Sequence, residues 1–219
     1  MGYFQVENNG ASDASEIFLA FPPTEAEHIA ILQAAATAEG RRKKKTHVPL
    51  EVKPTELPNT PNGAKLFSIA LHKPLKSSEK AVLEVIYTVT HSLEPFPAEI
   101  SQSEPQYVYY RDSAVLLSPY HVAEQITYIK MPNRKVESYT RVDPTKHAGT
   151  ELKYGHYHDQ PSYSFSPIIV HFENNNPFAV VEELVRVLEI SHWGNLQVTE
   201  HYKIKHGGAR HKGVFSRLV

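Results

Sequence analysis

Hydrophobic and polar residues alternate with a period of two along several stretches of the chain. In residues 81–90, Leu83 and Val85 fall on one face with Tyr87, and residues 196–205 repeat the pattern from Leu196 to Ile204. Alternation rich in β-branched and aromatic residues predicts half-buried antiparallel strands. Shorter stretches predict further strands at residues 3–7, 15–21, 65–71, 106–111, 122–130, 135–140 and 166–173.

One segment predicts a helix instead. Thr24 and Glu27 fit a capping box, an alanine-rich run follows, and Gly40 is a suitable closing residue, so we expect a short helix near residues 25–38. The basic run at residues 41–45 comes next. Five like charges without aromatic residues between them are typical of a solvated loop, with a nuclear-import signal or a segment that binds an anionic surface as the alternative.

The pattern of residues 179–192 is compatible with two structures. Val181, Leu184 and Leu188 have helical spacing behind an Asn176-Pro177 start, whereas the many β-branched residues favour a strand. Local propensity leaves helix and strand open. The following Gly194-Asn195 is a two-residue hairpin signal, which predicts a structural corner that packs the sole tryptophan, Trp193.

Two prolines mark a domain boundary. Pro95 and Pro97 force an extended connector directly after the clearest strand. We therefore expect a mainly β fold with two antiparallel β-sandwich-like units in tandem. The first spans residues 1–94, and the second spans residues 95–219 and is expected to be incomplete.

Composition excludes some functions. The 219 residues contain no cysteine, which excludes disulfides, thiolate catalysis and cysteine–zinc sites. The net charge of −1 gives no reason to expect nucleic acid as a partner. No apolar leader and no run of about 18 apolar residues is recognisable, and both ends lead us to expect part of a longer protein.

Histidine suggests the strongest candidate chemistry, because the chain has 13 of them. His156 and His158 would point the same way on a strand and could offer two imidazoles to zinc. No third ligand is identifiable, and Gly155 and Pro161 favour a flexible turn. One hypothesis is therefore a metal-dependent, aminopeptidase-like hydrolase, but the pattern itself predicts no metal, no cofactor and no catalytic residue.

Other candidate sites are weaker. Ser191 and His192 are adjacent, so on a strand they point to opposite faces and cannot act as nucleophile and base. The glycine-rich basic stretch at residues 205–213 lacks phosphate-loop spacing and predicts a mobile loop. Tyr107, Tyr109 and Tyr110 suggest a free-standing glycan- or peptide-binding β-sandwich, although core packing explains such tyrosines more often.

Three blocks of sequence resemble the lumenal part of the ribophorin I family. The blocks are residues 87–104, residues 136–140, and residues 170–217 with the segments at 170–175, 191–195, 205–209 and 215–217. Their order and spacing match over nearly the whole chain, most strongly from residue 81 onward. The poorest match is the alanine-rich and basic region.

The resemblance implies a function that the pattern does not. Ribophorin I is an accessory, non-catalytic subunit of the oligosaccharyltransferase complex of the endoplasmic-reticulum membrane. That complex transfers a dolichol-linked oligosaccharide to asparagine in Asn-x-Ser/Thr of nascent proteins. The resemblance implies a scaffold and substrate-presentation role on the lumenal side, with other subunits, including the catalytic one, and nascent polypeptides as partners.

Membrane association is expected only through regions that this chain lacks. The resemblance also favours a strand pair at residues 166–173 and 179–192, and it transfers no catalytic residue to this chain.

Overall fold

The computed structural model describes residues 1–39, 45–214 and 216–217. Within these residues there are one helical turn, α1 (Pro23–Ala26), and 18 strands. In chain order the strands are β1 (Gly2–Glu7), β2 (Ala14–Phe21), β3 (Ile29–Glu39), β4 (Lys45–Leu50), β5 (Val52–Thr55), β6 (Lys65–Leu75), β7 (Lys80–Val89), β8 (Leu93–Pro95), β9 (Glu99–Ile100), β10 (Tyr107–Ser113), β11 (Val122–Lys130), β12 (Val136–Tyr139), β13 (Thr145–Ala148), β14 (Glu151–Gln160), β15 (Pro167–Glu173), β16 (Ala179–Ile190), β17 (Leu196–His206) and β18 (Arg210–His211).

The strands form antiparallel sheets, apart from the short parallel pair β9 and β18. The larger sheets have the orders β1-β7-β3-β4, β2-β6-β5, β11-β14-β13 and β12-β15-β10-β8, and β16 pairs with β17 as a hairpin. The prediction of a mainly β, antiparallel fold is confirmed. Ten predicted strands, including both of the clearest ones, are present with ends within three residues of those expected, except that β6 continues to Leu75.

The residues group into two compact units. Unit 1 contains residues 1–92, 111–130 and 140–168, and unit 2 contains residues 93–110, 131–139 and 169–219. The chain first leaves unit 1 after residue 92. This point lies two residues before the predicted boundary at residue 94. The chain then returns twice to unit 1, which the predicted division did not include. The division into two independently folding domains stays a prediction.

The core of unit 1 lies between the first two sheets. Ile17, Leu19 and Phe21 of β2 point inwards at alternate positions and join Leu83 and Val85 of β7 in one cluster of buried side chains. Phe21 also packs edge-on against Tyr87, with 5.1 Å between ring centroids. These contacts arise because inward side chains of facing sheets interdigitate, as in a β-sandwich.

The predicted helix near residues 25–38 is wrong. Helical structure ends at Ala26 after a single turn, and Pro22 occupies the N-cap without a side-chain cap hydrogen bond. The alanine-rich run forms β3, which pairs with β7 on one side and β4 on the other. Alanine's helix preference amounts to at most about 0.7 kcal/mol per residue, and two-sided strand pairing outweighs it. Gly40 and residues 41–44 of the basic run lie outside the described residues.

Candidate functional site

A buried glutamine connects three separate parts of unit 2. Gln106 is 5% exposed, and its side-chain Nε2 donates a hydrogen bond to the Asn174 carbonyl oxygen at 2.7 Å. Its Oε1 accepts one from the Ala209 backbone N–H at 2.8 Å. The Gln106 N–H also donates to Asn175 Oδ1 at 2.8 Å. We call this set, Gln106, Asn174, Asn175, Gly208 and Ala209, the Gln106 node.

The glycine-rich stretch at residues 205–213 is closely packed at this node. A Cβ on Gly208 would lie 2.2 Å from Gln106 Oε1, so a larger residue would displace the glutamine. Farther along, the backbone N–H groups of Arg210 and Lys212 donate to the carbonyl oxygens of Ala98 and Ile100, each at 2.8 Å. The predicted loop is wrong here, because the stretch contains β18 and is tied down by backbone hydrogen bonds.

A buried carboxylate lies beside the node. Glu173 is 5% exposed; one of its oxygens lies 2.7 Å from Lys135 Nζ and the other accepts a hydrogen bond from Asn175 Nδ2 at 2.7 Å. The hydrogen bond with Glu173 raises the pKa of the Lys135 ammonium. These polar groups hold three chain segments together, and their chemistry is that of a structural junction.

The tyrosines of β10 form part of an aromatic cluster. Tyr107 and Tyr109 share a face, as predicted, and their ring centroids lie 5.5 and 4.5 Å from that of His171. Phe96 stacks on Tyr109 at 4.7 Å, while His171 Nε2 lies 3.0 Å from the Phe96 carbonyl oxygen. Tyr110, the next residue, lies opposite Leu93 in the β8 register. The tyrosine rings are partly buried against His171, so packing accounts for them.

The predicted histidine pair lies on a strand. Gly155 is part of β14, so the predicted flexible turn at this residue is wrong. A register shift opposite Gln125 and Ile126 leaves His156 as the extra residue of a β-bulge. The rings of His156 and His158 are almost parallel, with centroids 6.4 Å apart.

The surroundings of this pair do not favour a metal. His156 Nδ1 lies 2.7 Å from Glu124 Oε1, and this hydrogen bond lowers the pKa of the Glu124 carboxyl. Within the described part of the chain, no group of three or more His, Asp or Glu side chains is arranged to hold a metal ion. The geometry therefore gives the metal-dependent hydrolase hypothesis no support.

Ser191 and His192 lie in the turn of the β16–β17 hairpin. The Ser191 N–H donates to the Asn195 carbonyl oxygen at 2.9 Å, and the Ser191 hydroxyl accepts from the Asn195 N–H at 3.1 Å. Ser191 therefore closes the turn, and the predicted structural corner is confirmed. The Ser191–Asn195 pair encloses three residues, 192–194, instead of the expected two, and Gly194 has φ +81°, as in a type I turn followed by a left-handed residue.

The expected packing of the tryptophan is wrong. Trp193 is 92% exposed at the tip of the hairpin, because β16 and β17 pair only with each other among the described strands. The strand alternative for residues 179–192 is correct. Local sequence could not show that no other described strand pairs with this hairpin.

These features define a class of protein. It is a multi-sheet β protein in which the buried side chain of Gln106 joins distant chain segments. The chain belongs to the ribophorin I family, whose model matches residues 3–219. Two of the resembling blocks, residues 170–175 and 205–209, meet at the Gln106 node, whereas sequence reasoning had no signal for Gln106 itself.

Curated relatives cover the same region. The chain is 66% identical over 215 residues to the dolichyl-diphosphooligosaccharide–protein glycosyltransferase subunit 1B of Oryza sativa subsp. japonica, with 98% of this chain and 45% of that protein covered. It is 59% identical over 214 residues to subunit 1B of Arabidopsis thaliana, with 98% and 46% covered. It is 31% identical to subunit 1 of Caenorhabditis elegans, with 98% and 35% covered.

The chain thus spans less than half the length of these relatives. In the segments that the structure describes, no helix has the length and hydrophobicity needed to cross a membrane.

Proposed function

We propose that this chain serves as part of a non-catalytic subunit of the oligosaccharyltransferase complex. This complex transfers a dolichol-linked oligosaccharide to asparagine in Asn-x-Ser/Thr of nascent proteins. The observation that carries the proposal is 66% identity, over 98% of the chain, to a relative named as a subunit of that transferase. Because the match to this relative covers 98% of the chain, it supports the same role for all of the chain's β units.

The subunit acts as a scaffold and helps to present substrate polypeptides. Its partners are the other subunits of the complex, including the catalytic one, and nascent polypeptides. It works at the endoplasmic-reticulum membrane on the lumenal side. In support, the backbone N–H, side-chain nitrogen and side-chain oxygen of Gln106 all make hydrogen bonds to distant chain segments, which suits a module that holds neighbours in place.

Co-purification tests the assembly role. The chain is expressed with an endoplasmic-reticulum leader and an epitope tag in plant cells depleted of their own subunit 1. Purification in mild detergent should recover the catalytic subunit, and the same chain without the leader is the compartment control. A folded, lumenal chain that repeatedly fails to recover the catalytic subunit would contradict the proposal.

A second measurement tests the non-catalytic role. The purified chain is incubated with dolichol-linked oligosaccharide and an Asn-x-Thr acceptor peptide, and mass spectrometry is used to search for glycopeptide. We expect none from the chain alone and product when the complete complex is supplied. Product formation by the chain alone would refute a purely supporting role.

A further inference from the structure

Two asparagines of this chain are followed directly by glycine. They are Asn9, in the loop between β1 and β2, and Asn62, in the connection between β5 and β6. Every other asparagine precedes a residue that has a side chain. Because glycine has no Cβ, its backbone nitrogen can closely approach the amide carbon of the preceding asparagine side chain. Asn-Gly is therefore the dipeptide in which the main chain most readily attacks its own side chain.

Asn62 lies in a tight turn at the surface. The Ala64 N–H donates to the Pro61 carbonyl oxygen at 3.1 Å and closes the turn. Gly63 has φ +80°, a value typical of the third residue of a type II turn. Asn62 and Gly63 are both exposed. Within the part of the chain that the structure describes, neither the Gly63 N–H nor the Asn62 side chain has a hydrogen-bond partner, so no such bond restrains the two groups that would react.

Asn9 lies in a loop that restrains its glycine. The Gly10 N–H donates to Asn8 Oδ1 at 2.9 Å, which forms an Asx turn. Asn8 is itself held in place, because its Nδ2 donates to the carbonyl oxygens of Ser12 at 2.8 Å and Leu75 at 2.7 Å. The Gly10 nitrogen would have to lose its hydrogen bond before it could attack the Asn9 side chain. The fold thus treats the two Asn-Gly pairs differently.

We propose that Asn62 is a site of spontaneous deamidation in the folded chain, whereas Asn9 is protected. The Gly63 nitrogen loses its proton and attacks Asn62 Cγ; a C–N bond forms, and the side-chain nitrogen leaves as ammonia. Water then opens the resulting cyclic succinimide. Opening at the side-chain carbonyl gives aspartate, and opening at the main-chain carbonyl gives isoaspartate. Nothing is oxidised or reduced, and water is the only co-reactant.

Isoaspartate at position 62 should disturb unit 1. It adds one methylene to the main chain inside the closed turn. Gly63 lies against Pro23 at the start of α1, where a Cβ on the glycine would be 3.0 Å from Pro23 Cγ. On the other side of Gly63, Ala64 packs against the buried cluster that contains Leu66. The turn therefore has little space for a longer main chain.

Peptide mapping by mass spectrometry measures the modification. The chain is incubated at physiological temperature and mildly alkaline pH and then digested. Deamidation is detected because it replaces the side-chain NH₂ by OH, and electron-transfer fragmentation distinguishes isoaspartate from aspartate. In the folded chain Asn62 should deamidate at least tenfold faster than Asn9. In urea the two rates should lie within threefold of each other, because unfolding removes the hydrogen bond of Gly10.

Two variants test the assignment of roles. Asn8→Ala removes the acceptor of the Gly10 N–H, so the rate at Asn9 should rise at least threefold while the rate at Asn62 stays unchanged. Asn62→Gln is the negative control, because its longer side chain moves the amide carbon away from the Gly63 nitrogen, and it should abolish product at position 62. Circular dichroism checks that each variant is folded.

A third comparison measures the consequence for stability. Deamidated chain is separated from unmodified chain by ion exchange, because it carries one more negative charge. Asn62→Asp has the same charge with a normal main chain. The deamidated material should show an additional, lower urea midpoint in proportion to its isoaspartate content. An isoaspartyl chain as stable as Asn62→Asp would contradict the predicted disturbance of unit 1.

Several results would overturn the proposal. Equal rates at Asn62 and Asn9 in the folded chain, both accelerated alike by urea, would mean that only unfolded molecules react. A rate at Asn9 that Asn8→Ala leaves unchanged would show that the Asx turn is not what protects it. These outcomes are independent of the assembly role proposed above, since none of them involves another subunit.

Discussion

At the scale of single residues, Glu25 is the most perturbed acid in unit 1. Its side chain is half-buried at the end of α1. Burial, the nearby charge of Asp112 and a hydrogen bond with Asp112 together raise the pKa of Glu25 to about 7. Burial also raises the pKa of the Tyr87 hydroxyl, with smaller effects from Asp112 and Glu25.

The raised pKa of Glu25 predicts a pH dependence of stability. The folded state holds the Glu25 proton more tightly than the unfolded state, so this contribution is complete below pH 4.5 and is lost as pH rises through 7. Between pH 5 and pH 8 the free energy of unfolding should fall by about 1–2 kcal/mol, after allowance for the side chain's partial exposure.

Urea unfolding at both pH values measures this effect. Glu25→Gln should remove the decrease relative to the unaltered chain, and Glu27→Gln, on the exposed side of the same turn, should keep it. An unchanged pH profile in Glu25→Gln would show that Glu25 is not the group responsible.

A second prediction at this scale concerns the Gln106 node. Gln106→Leu keeps side-chain volume but leaves the Ala209 N–H and the Asn174 carbonyl without their partner at a buried position. Each unsatisfied buried group costs about 1–3 kcal/mol, so we expect unit 2 to lose about 2–4 kcal/mol in urea unfolding.

Gln102 is a matched control for this substitution. Its side-chain nitrogen donates a hydrogen bond to the Ser216 carbonyl oxygen, and its side-chain oxygen accepts one from the Ser216 backbone N–H. This pair is exposed, and water can replace the bonds, so Gln102→Leu should cost less than about 1 kcal/mol. Equal effects of the two substitutions would show that burial of the node contributes nothing.

At the scale of elements, the bulge in β14 depends on a glycine. Gly155 has φ +106°, and a Cβ there would lie 2.7 Å from the Gln125 carbonyl oxygen on β11. Gly155→Ala therefore combines backbone strain with a collision against main chain, and it should cost at least about 2 kcal/mol in unfolding free energy.

Gly149, in the turn before β14, separates these two causes. It also has a positive φ, +63°, but a Cβ there meets nothing within 4 Å. Gly149→Ala should cost only the strain, about 1 kcal/mol. If both variants lost the same stability, the close approach of β11 would have no energetic consequence.

At the scale of the whole molecule, the cluster of buried side chains between the first two sheets of unit 1 is built from residues before position 94. Its buried members run from Ile17 to Val85. A second, smaller cluster joins Ala20 and Leu66 to Leu117, with Tyr163 packed against it, and the Tyr120 hydroxyl lies 2.9 Å from the Phe18 backbone nitrogen as its hydrogen-bond acceptor. The later segments of unit 1 contribute no buried member to that first cluster, and they bury side chains of their own, such as Leu152 and Tyr154.

This arrangement predicts how the chain tolerates truncation. A fragment of residues 1–94 should unfold cooperatively and show a strand-type circular dichroism spectrum. It should be about 2–4 kcal/mol less stable than unit 1 in the full chain, because the cluster around Leu117 is lost. A fragment without a cooperative transition would show that residues 111–130 or 140–168 are required for folding.

Period-two alternation determined nine of the 18 described strands from sequence alone, because a half-buried strand must alternate whatever its partner is. The lack of cysteine and the three blocks of family sequence are likewise properties of the chain that need no coordinates. Tertiary structure decided the rest. The alanine-rich run became β3 because β4 and β7 supply backbone partners on both sides.

The burial of Gln106 and the exposure of Trp193 were likewise decided by which distant segments meet in the tertiary structure. Gln106 is buried because residues about 70 and 100 positions later in the chain pack around it, and local pattern contains no information on such distant partners. Trp193 is exposed because no other described strand pairs with the hairpin that carries it. Strand periodicity is a local property, whereas burial and pairing depend on which distant segments meet.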